Sequence, residues 1–149
     1  MFTRPLYLIC LLSCLLFAAS ALAQEGHPAK GTWVGDWGPT PTERTHVVVV
    51  MDWDGKALTG FVNPGPNAIP IKTARLDITP GNPSAKPVVL PVFKVHIEAD
   101  AKDAKGNPMT IVADGTMQEV ALPGRAIAGV WSQTSGGNTV KGEFKIRRQ

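Results

Sequence analysis

Ile127-Ala128-Gly129-Val130-Trp131 and Val140-Lys141-Gly142-Glu143-Phe144 decide how this chain is read. Each places a glycine between an apolar or basic residue and an aromatic. Leu58-Thr59-Gly60-Phe61-Val62 repeats the pattern, and Lys30-Gly31-Thr32-Trp33 is a looser copy. Glycine inside a strand lets the backbone bend sharply or lets a neighbouring chain come close. Several such strands in one short chain predict a small, strongly curved sheet, most simply a closed barrel.

The remaining sequence supplies the other strands. No window shows a helical period, whereas strand signals recur between turn residues. Gly31 to Trp37 and Arg44 to Trp53 make a first pair, the second rich in valine. Asp54-Gly55 is a strong two-residue hairpin signal, and Lys56 to Asn63 returns from it. Asn63-Pro64-Gly65-Pro66-Asn67 is a rigid loop. Ile69 to Asp77 is a broken strand in which Pro70 implies an edge or a bulge. Val88 to Asp100 alternates cleanly, with Phe93, Val95, Ile97 and Ala99 on one face and Lys94, His96, Glu98 and Asp100 on the other. Met109 to Val120, Arg125 to Gln133 and Val140 to Arg147 complete about eight strands with short connections. That order favours an antiparallel up-and-down meander. Eight is the number at which a closed barrel fills with its own side chains or holds one small ligand.

Residues 1–23 read as a secretory signal peptide. Arg4 supplies the basic n-region, Leu6 to Phe17 the apolar core, and Ala21-Leu22-Ala23 the cleavage site. The apolar run is shorter than the roughly 20 residues needed to span a bilayer, so no stable membrane insertion is expected after cleavage. The mature part, residues 24–149, is then a single barrel domain. Cys10 and Cys14 both leave with the leader, so no disulfide and no thiolate chemistry is expected. Leu11-Leu12-Ser13-Cys14 has a faint lipobox character, and lipidation at Cys14 is the alternative fate of this segment. An exported domain without disulfides suits a bacterial periplasm or medium. The mature chain carries 14 basic against 12 acidic side chains, interspersed. No basic face with interleaved aromatics is apparent, which argues against nucleic acid as a partner. Nothing in the sequence sets the oligomeric state.

Chemistry-bearing motifs are absent. There is no nucleophile elbow, zinc motif, phosphate loop or dinucleotide fingerprint, so neither cofactor nor catalysis is expected. The mature serines, Ser84, Ser132 and Ser135, sit in or beside loops. Asp52-Trp53-Asp54-Gly55 lacks the rest of a calcium loop and reads as a hairpin turn. His46 and His96 fall on solvent-facing strand positions and His27 in an N-terminal stub, so no metal site is expected. The tryptophans are the best binding candidates. Trp37 and Trp53, near strand ends, are expected to rim a mouth, with Trp131 contributing and the Pro64 and Pro66 loop lying over it. The expected ligand is small and apolar or amphiphilic. A protein-interaction or inhibitor barrel, acting on a periplasmic protein through its loops or the stub from Gln24 to Lys30, is the alternative.

The Gly31-Thr32-Trp33 start, the eight-strand meander and the basic end of the last strand resemble the lipocalin and avidin barrels. That resemblance implies that Trp33 closes one barrel end with Arg147, or Lys145, packed over it; a guanidinium on an indole contributes about 1 kcal/mol. The mature chain has no tyrosine, so the tyrosine motifs of those families have no counterpart here. A closer likeness, running from Met51 to Gly60 through Asn63-Pro64-Gly65-Pro66 to the closing Gly-x-Trp and Gly-x-Phe-Lys, is to small exported bacterial β-barrel proteins. It implies no activity.

Overall fold

A computed structural model describes residues 26–121 and 123–149. Residues 1–23, read above as a signal peptide, with Cys10 and Cys14, and also Gln24 and Glu25, lie outside the described residues. Eight strands follow in chain order: β1 (Gly31–Gly38), β2 (Thr45–Trp53), β3 (Leu58–Val62), β4 (Ile69–Thr79), β5 (Val92–Lys102), β6 (Pro108–Gln118), β7 (Ala126–Ser135) and β8 (Asn138–Arg148). Each pairs antiparallel with its sequence neighbours, and β8 returns to β1 to close the barrel. The seam runs from Trp33 opposite Arg148 to Trp37 opposite Phe144. The chain is therefore an all-β, antiparallel up-and-down barrel. Closure gives every strand two neighbours, although β3 meets β4 only at Ile69 and Pro70, so β4 keeps a free edge from Ala74 to Thr79.

Period-two alternation sorts the side chains. Trp33, Val47, Val49, Met51, Val95, Ile97, Phe144 and Ile146 point inward and are buried. Every fully buried residue among those described is apolar. Positions between them carry Asp36, Lys94, Asp114, Glu143 and Lys145 on the outer wall, all exposed. This is the reverse of a membrane-spanning barrel, whose outer band is apolar. The Asp54 carboxylate accepts the Lys56 and Ala57 amides at 2.8 Å, so Asp54-Gly55 is the predicted hairpin turn. A bulge follows Pro70, between Ile71 and Thr73.

Two inward glycines show why the sheet can curl so tightly. A Cβ on Gly35 would overlap the Lys145 carbonyl oxygen across the seam. One on Gly129 would overlap the Asp114 carbonyl oxygen. Phe144 pairs directly with Gly129, and its ring tip reaches over Gly115, where a Cβ would lie 2.8 Å from it. The aromatic thus fills the space that the missing side chains leave.

One barrel end is plugged by the segment preceding β1. Lys30 N–H donates to the His27 carbonyl at 2.8 Å, and this turn turns Ala29 inward, where it is fully buried. The Trp33 indole N–H donates to the Ala29 carbonyl at 2.9 Å, satisfying the one polar atom of a fully buried side chain. His27 stacks on Trp53 with ring centroids 4.4 Å apart. His27 to Lys30 is therefore part of the closure, and this corrects the expectation of a loose stub for those residues.

The closing pair also needs correction. With Phe144 and Ile146 inward, alternation turns Arg147 outward and Arg148 inward. Arg148 pairs with Trp33, and its guanidinium lies beside Gly31. Arg147 instead donates to the Glu119 carboxylate at 3.2 Å and to the Gly124 carbonyl at 3.1 Å.

Substituting Gly129 with valine forces backbone apart in mid-sheet, and we expect a loss of about 3 kcal/mol or more, or failure to fold. Gly124→Ala, where a Cβ meets nothing within 4 Å, should stay within about 0.5 kcal/mol of the parent. Urea denaturation of both variants checks the pair.

Candidate functional site

At the end opposite the plug, Trp37 closes β1 and turns inward, half-buried. Its ring centroid lies 5.0 Å from that of Trp131, the planes tilted by 35°. Trp131 comes from the middle of β7, opposite Ala113 on β6 and Gly142 on β8. It is 7 % exposed, and its indole N–H is buried with no acceptor among the described residues. Beside Trp37, a cavity of about 30 Å³ extends down the barrel, lined by Val47, Val49, Val62, Ile97 and Phe144 among others. No polar side chain faces it. A cavity of this size admits one or two waters by volume, but with nothing to bond them it stays dry.

The sequence expected Trp37 and Trp53 at one mouth, and the structure separates them. β1 runs one way and β2 runs back, so the ends of the two strands lie at opposite barrel ends. Trp53 belongs to the plug with His27. Trp131 takes its place beside Trp37. Pro64 and Pro66 do lie at the Trp37 end, in the β3–β4 connection, but both are exposed and neither lines the cavity. Asn63 braces that loop: its side-chain oxygen accepts the Val48 amide at 3.0 Å, and its own amide donates to the Val48 carbonyl at 2.7 Å.

A second cluster lies on the outer wall. His96 on β5 is paired with Asp114 on β6. Its Nδ1 is 2.7 Å from the Asp114 carboxylate and its Nε2 3.1 Å from that of Glu98, two residues along the same strand face. The imidazole is only 12 % exposed. Burial pushes its pKa down, but the hydrogen bonds to Asp114 and Glu98 outweigh burial, and the net shift is upward. His96 faces outward as expected, yet two carboxylates hold it. The His96–Glu98 spacing was visible in the strand. Asp114, 18 residues away, becomes a neighbour only through the β5–β6 register. His46 is exposed on the outer wall of β2. Among the described residues no group of three or more His, Cys, Asp or Glu side chains is arranged to hold a metal ion.

Other charged positions serve the frame. Asp52 pairs with Lys30 at 2.8 Å, tying β2 to the plug. Arg44 pairs with Asp36 and donates to the Glu143 carbonyl at 3.0 Å, bracing the β1–β2 connection against β8. Asp103 accepts the Lys105 and Asn107 amides at 2.8 Å and the Ser135 hydroxyl at 3.1 Å, joining the β5–β6 turn to β7.

No family model matches the chain, and neither a curated protein nor a solved structure is significantly similar to it.

The raised His96 pKa makes a stability prediction. Folding favours its protonated form, so its contribution is full below the unfolded value of 6.5 and fades as pH rises through the folded value. His27 works the other way: burial lowers its pKa, so its contribution is present above 6.5 and is lost as pH falls through the folded value. Thermal melts of His96→Gln against the parent should therefore differ more below pH 6.5 than well above it. A gap that is constant or widens with pH contradicts the assignment.

Proposed function

We propose that the protein is a binding module that takes a small amphiphilic molecule at the Trp37 end of the barrel. A short apolar group or the edge of a ring rests against Trp37 and reaches the cavity behind it. The Trp131 indole N–H, enclosed beside Trp37 and outside the cavity lining, is taken by an acceptor oxygen of the same molecule when Trp37 turns aside. The single observation that carries this reading is that unpartnered donor. Buried polar groups without a partner are uncommon and cost about 1–3 kcal/mol each. The other fully enclosed indole, Trp33, has its acceptor at 2.9 Å.

The cavity sets the size of the ligand. Pockets that engulf a drug-sized molecule run to about 300–1,000 Å³, whereas this one has about 30 Å³. The bound molecule is held at the mouth, most of it among the connecting loops. Pro64 and Pro66 stiffen one of those loops and limit the ordering it must undergo on binding. On this reading the chain is an exported barrel of the lipocalin and avidin type, acting outside the cytoplasm after loss of residues 1–23. The leader-like N-terminal sequence and the absence of cysteine from residues 24–149 support that placement. The alternative of an inhibitor barrel working through an N-terminal tail has less footing, because His27 to Lys30 is committed to closing the other end.

Tryptophan fluorescence during titration with short-chain alcohols and carboxylates of increasing length tests this. Saturable changes should appear for the shorter members and fail as chains outgrow the site. Trp131→Phe, which keeps the ring and removes the donor, should weaken binding about fivefold or more. Ala113→Val, which puts added methyl groups into the cavity, should weaken it as well, with a thermal melt showing that the variant is folded. If no member of the series perturbs the fluorescence, or Trp131→Phe binds as well as the parent, the reading fails.

A further inference from the structure

The connection from β4 to β5, residues 80–91, is unlike the other loops. β3 pairs with β4 only at Ile69 and Pro70, so β4 from Ala74 onward is held by β5 alone. β5 stays paired with β6 as far back as Lys94, so only from Ile78 and Phe93 onward do the two strands run on alone as a ribbon at the plugged end of the barrel, bridged near its tip by Asn82 and Val89. Its tip is apolar and exposed: Pro87-Val88-Val89-Leu90-Pro91, with Leu90 at 74 %. Ile78 and Val92 at its base are exposed as well. Contiguous apolar patches of this kind mark contacts with a partner or a membrane.

Two features select the membrane. The first is the backbone. Four of the ribbon positions are proline, at 80, 83, 87 and 91, and carry no N–H. Asn82 and Val89 bond each other's carbonyls, and the Ser84 and Ala85 amides are bonded within the turn to Asn82. The prolines and paired amides lower the cost of approaching an apolar layer, but the Val88 and Leu90 amides have no partner among the described residues, so these two side chains stop at the headgroup–tail boundary, where water still reaches the backbone. The second feature is charge. Between Asp77 and Glu98 the chain has no acidic residue; Lys86 beside the tip and Lys94 at the base of the ribbon are both exposed, Lys94 lying opposite Asp77 across the strands. At the same barrel end Lys56, Arg125 and Arg148 have no carboxylate partner among the described residues, and the unpaired acid there is Asp54, spent on its own turn. A convex apolar tip with basic shoulders matches a layer of fluid tails beneath anionic headgroups.

We propose that the ribbon of residues 80–91 docks the protein peripherally on membranes rich in anionic phospholipid. Val88 and Leu90 enter the headgroup–tail boundary, and Lys86 and Lys94 meet the phosphates. The surface lies at the opposite end from Trp37 and Trp131, so this inference stands apart from the ligand reading, and a docked barrel keeps its mouth turned away from the bilayer.

Flotation of the purified protein tests it, with vesicles of phosphatidylcholine alone and of phosphatidylcholine mixed equally with phosphatidylglycerol. The protein should float with the mixed vesicles and not with the neutral ones, and added salt should release it. Val88→Asp with Leu90→Asp should abolish flotation. Lys86→Gln and Lys94→Gln should each lower the partition constant about fivefold. Unchanged thermal melts establish that these surface variants stay folded. Absence of flotation, equal flotation with both vesicles, or flotation that survives the double aspartate variant overturns the proposal. A purified protein that binds the ribbon with no vesicle flotation would do the same, and would make the ribbon a protein contact.

Discussion

The structure depends on places where two strands approach so closely that no side chain fits between them. At Gly35 that approach sits on the β1–β8 seam. At Gly129 it sits beside the β6 backbone. Both positions point inward, where the sheet is concave. A Cβ there would keep the neighbouring carbonyl away, and the sheet would open. The glycines weaken the strands locally, since glycine orders at an entropic cost. Closure offsets that cost by pairing every strand on both sides and by burying a continuous apolar interior. Phe144, reaching over Gly115 from its place opposite Gly129, returns part of the lost contact area.

Tight curvature has a functional consequence. An eight-strand barrel is at the margin between a filled core and a ligand chamber, and here it is almost filled. Trp33, Met51, Ile127 and Ile146 are fully buried, and what remains is a small dry cavity next to Trp37. The interior therefore has no chamber for a ligand beyond that cavity. The ends differ in how their indoles are treated. At one, Ala29 is brought inside to accept the Trp33 N–H. At the other, the Trp131 N–H is buried with no acceptor among the described residues. On the outer wall His96 is held between Glu98 and Asp114, while Lys94, Glu143 and Lys145 have no ion-pair partner among the described residues.

Much of the fold was legible in the chain. The Gly-x-aromatic strands, the Asp54-Gly55 turn and the alternation of Val88 to Asp100 each follow from local rules, and local rules suffice for an antiparallel meander. What lay beyond them were relations between strands. Trp37 and Trp53 look alike as aromatics near strand ends, but strand direction sends them to opposite ends of the barrel. Carrying the inward parity of Phe144 and Ile146 two residues further would have picked Arg148 over Arg147. The partnership of His96 with Asp114 required the hairpin register, which turn length sets and composition does not. The plug was the least legible part. His27-Pro28-Ala29-Lys30 has no strand or helix pattern, and its order comes from tertiary contacts with Trp33 and Trp53. The apolar run Val88 to Val92 reads in sequence as the start of the strand Val88 to Asp100. Only the pairing shows that most of it lies beyond the sheet, in solvent.

The central claim is that the sheet closes through β1 and β8, with their inward glycines and aromatics in register. Nuclear Overhauser contacts between backbone protons across that seam address it most directly. The account predicts contacts from Trp33 with Arg148 through Gly35 with Ile146 to Trp37 with Phe144, together with slow amide exchange along both strands. A β1 that shows contacts with β2 alone, and exchanges its seam-facing amides freely, would mean an open sheet and would contradict it.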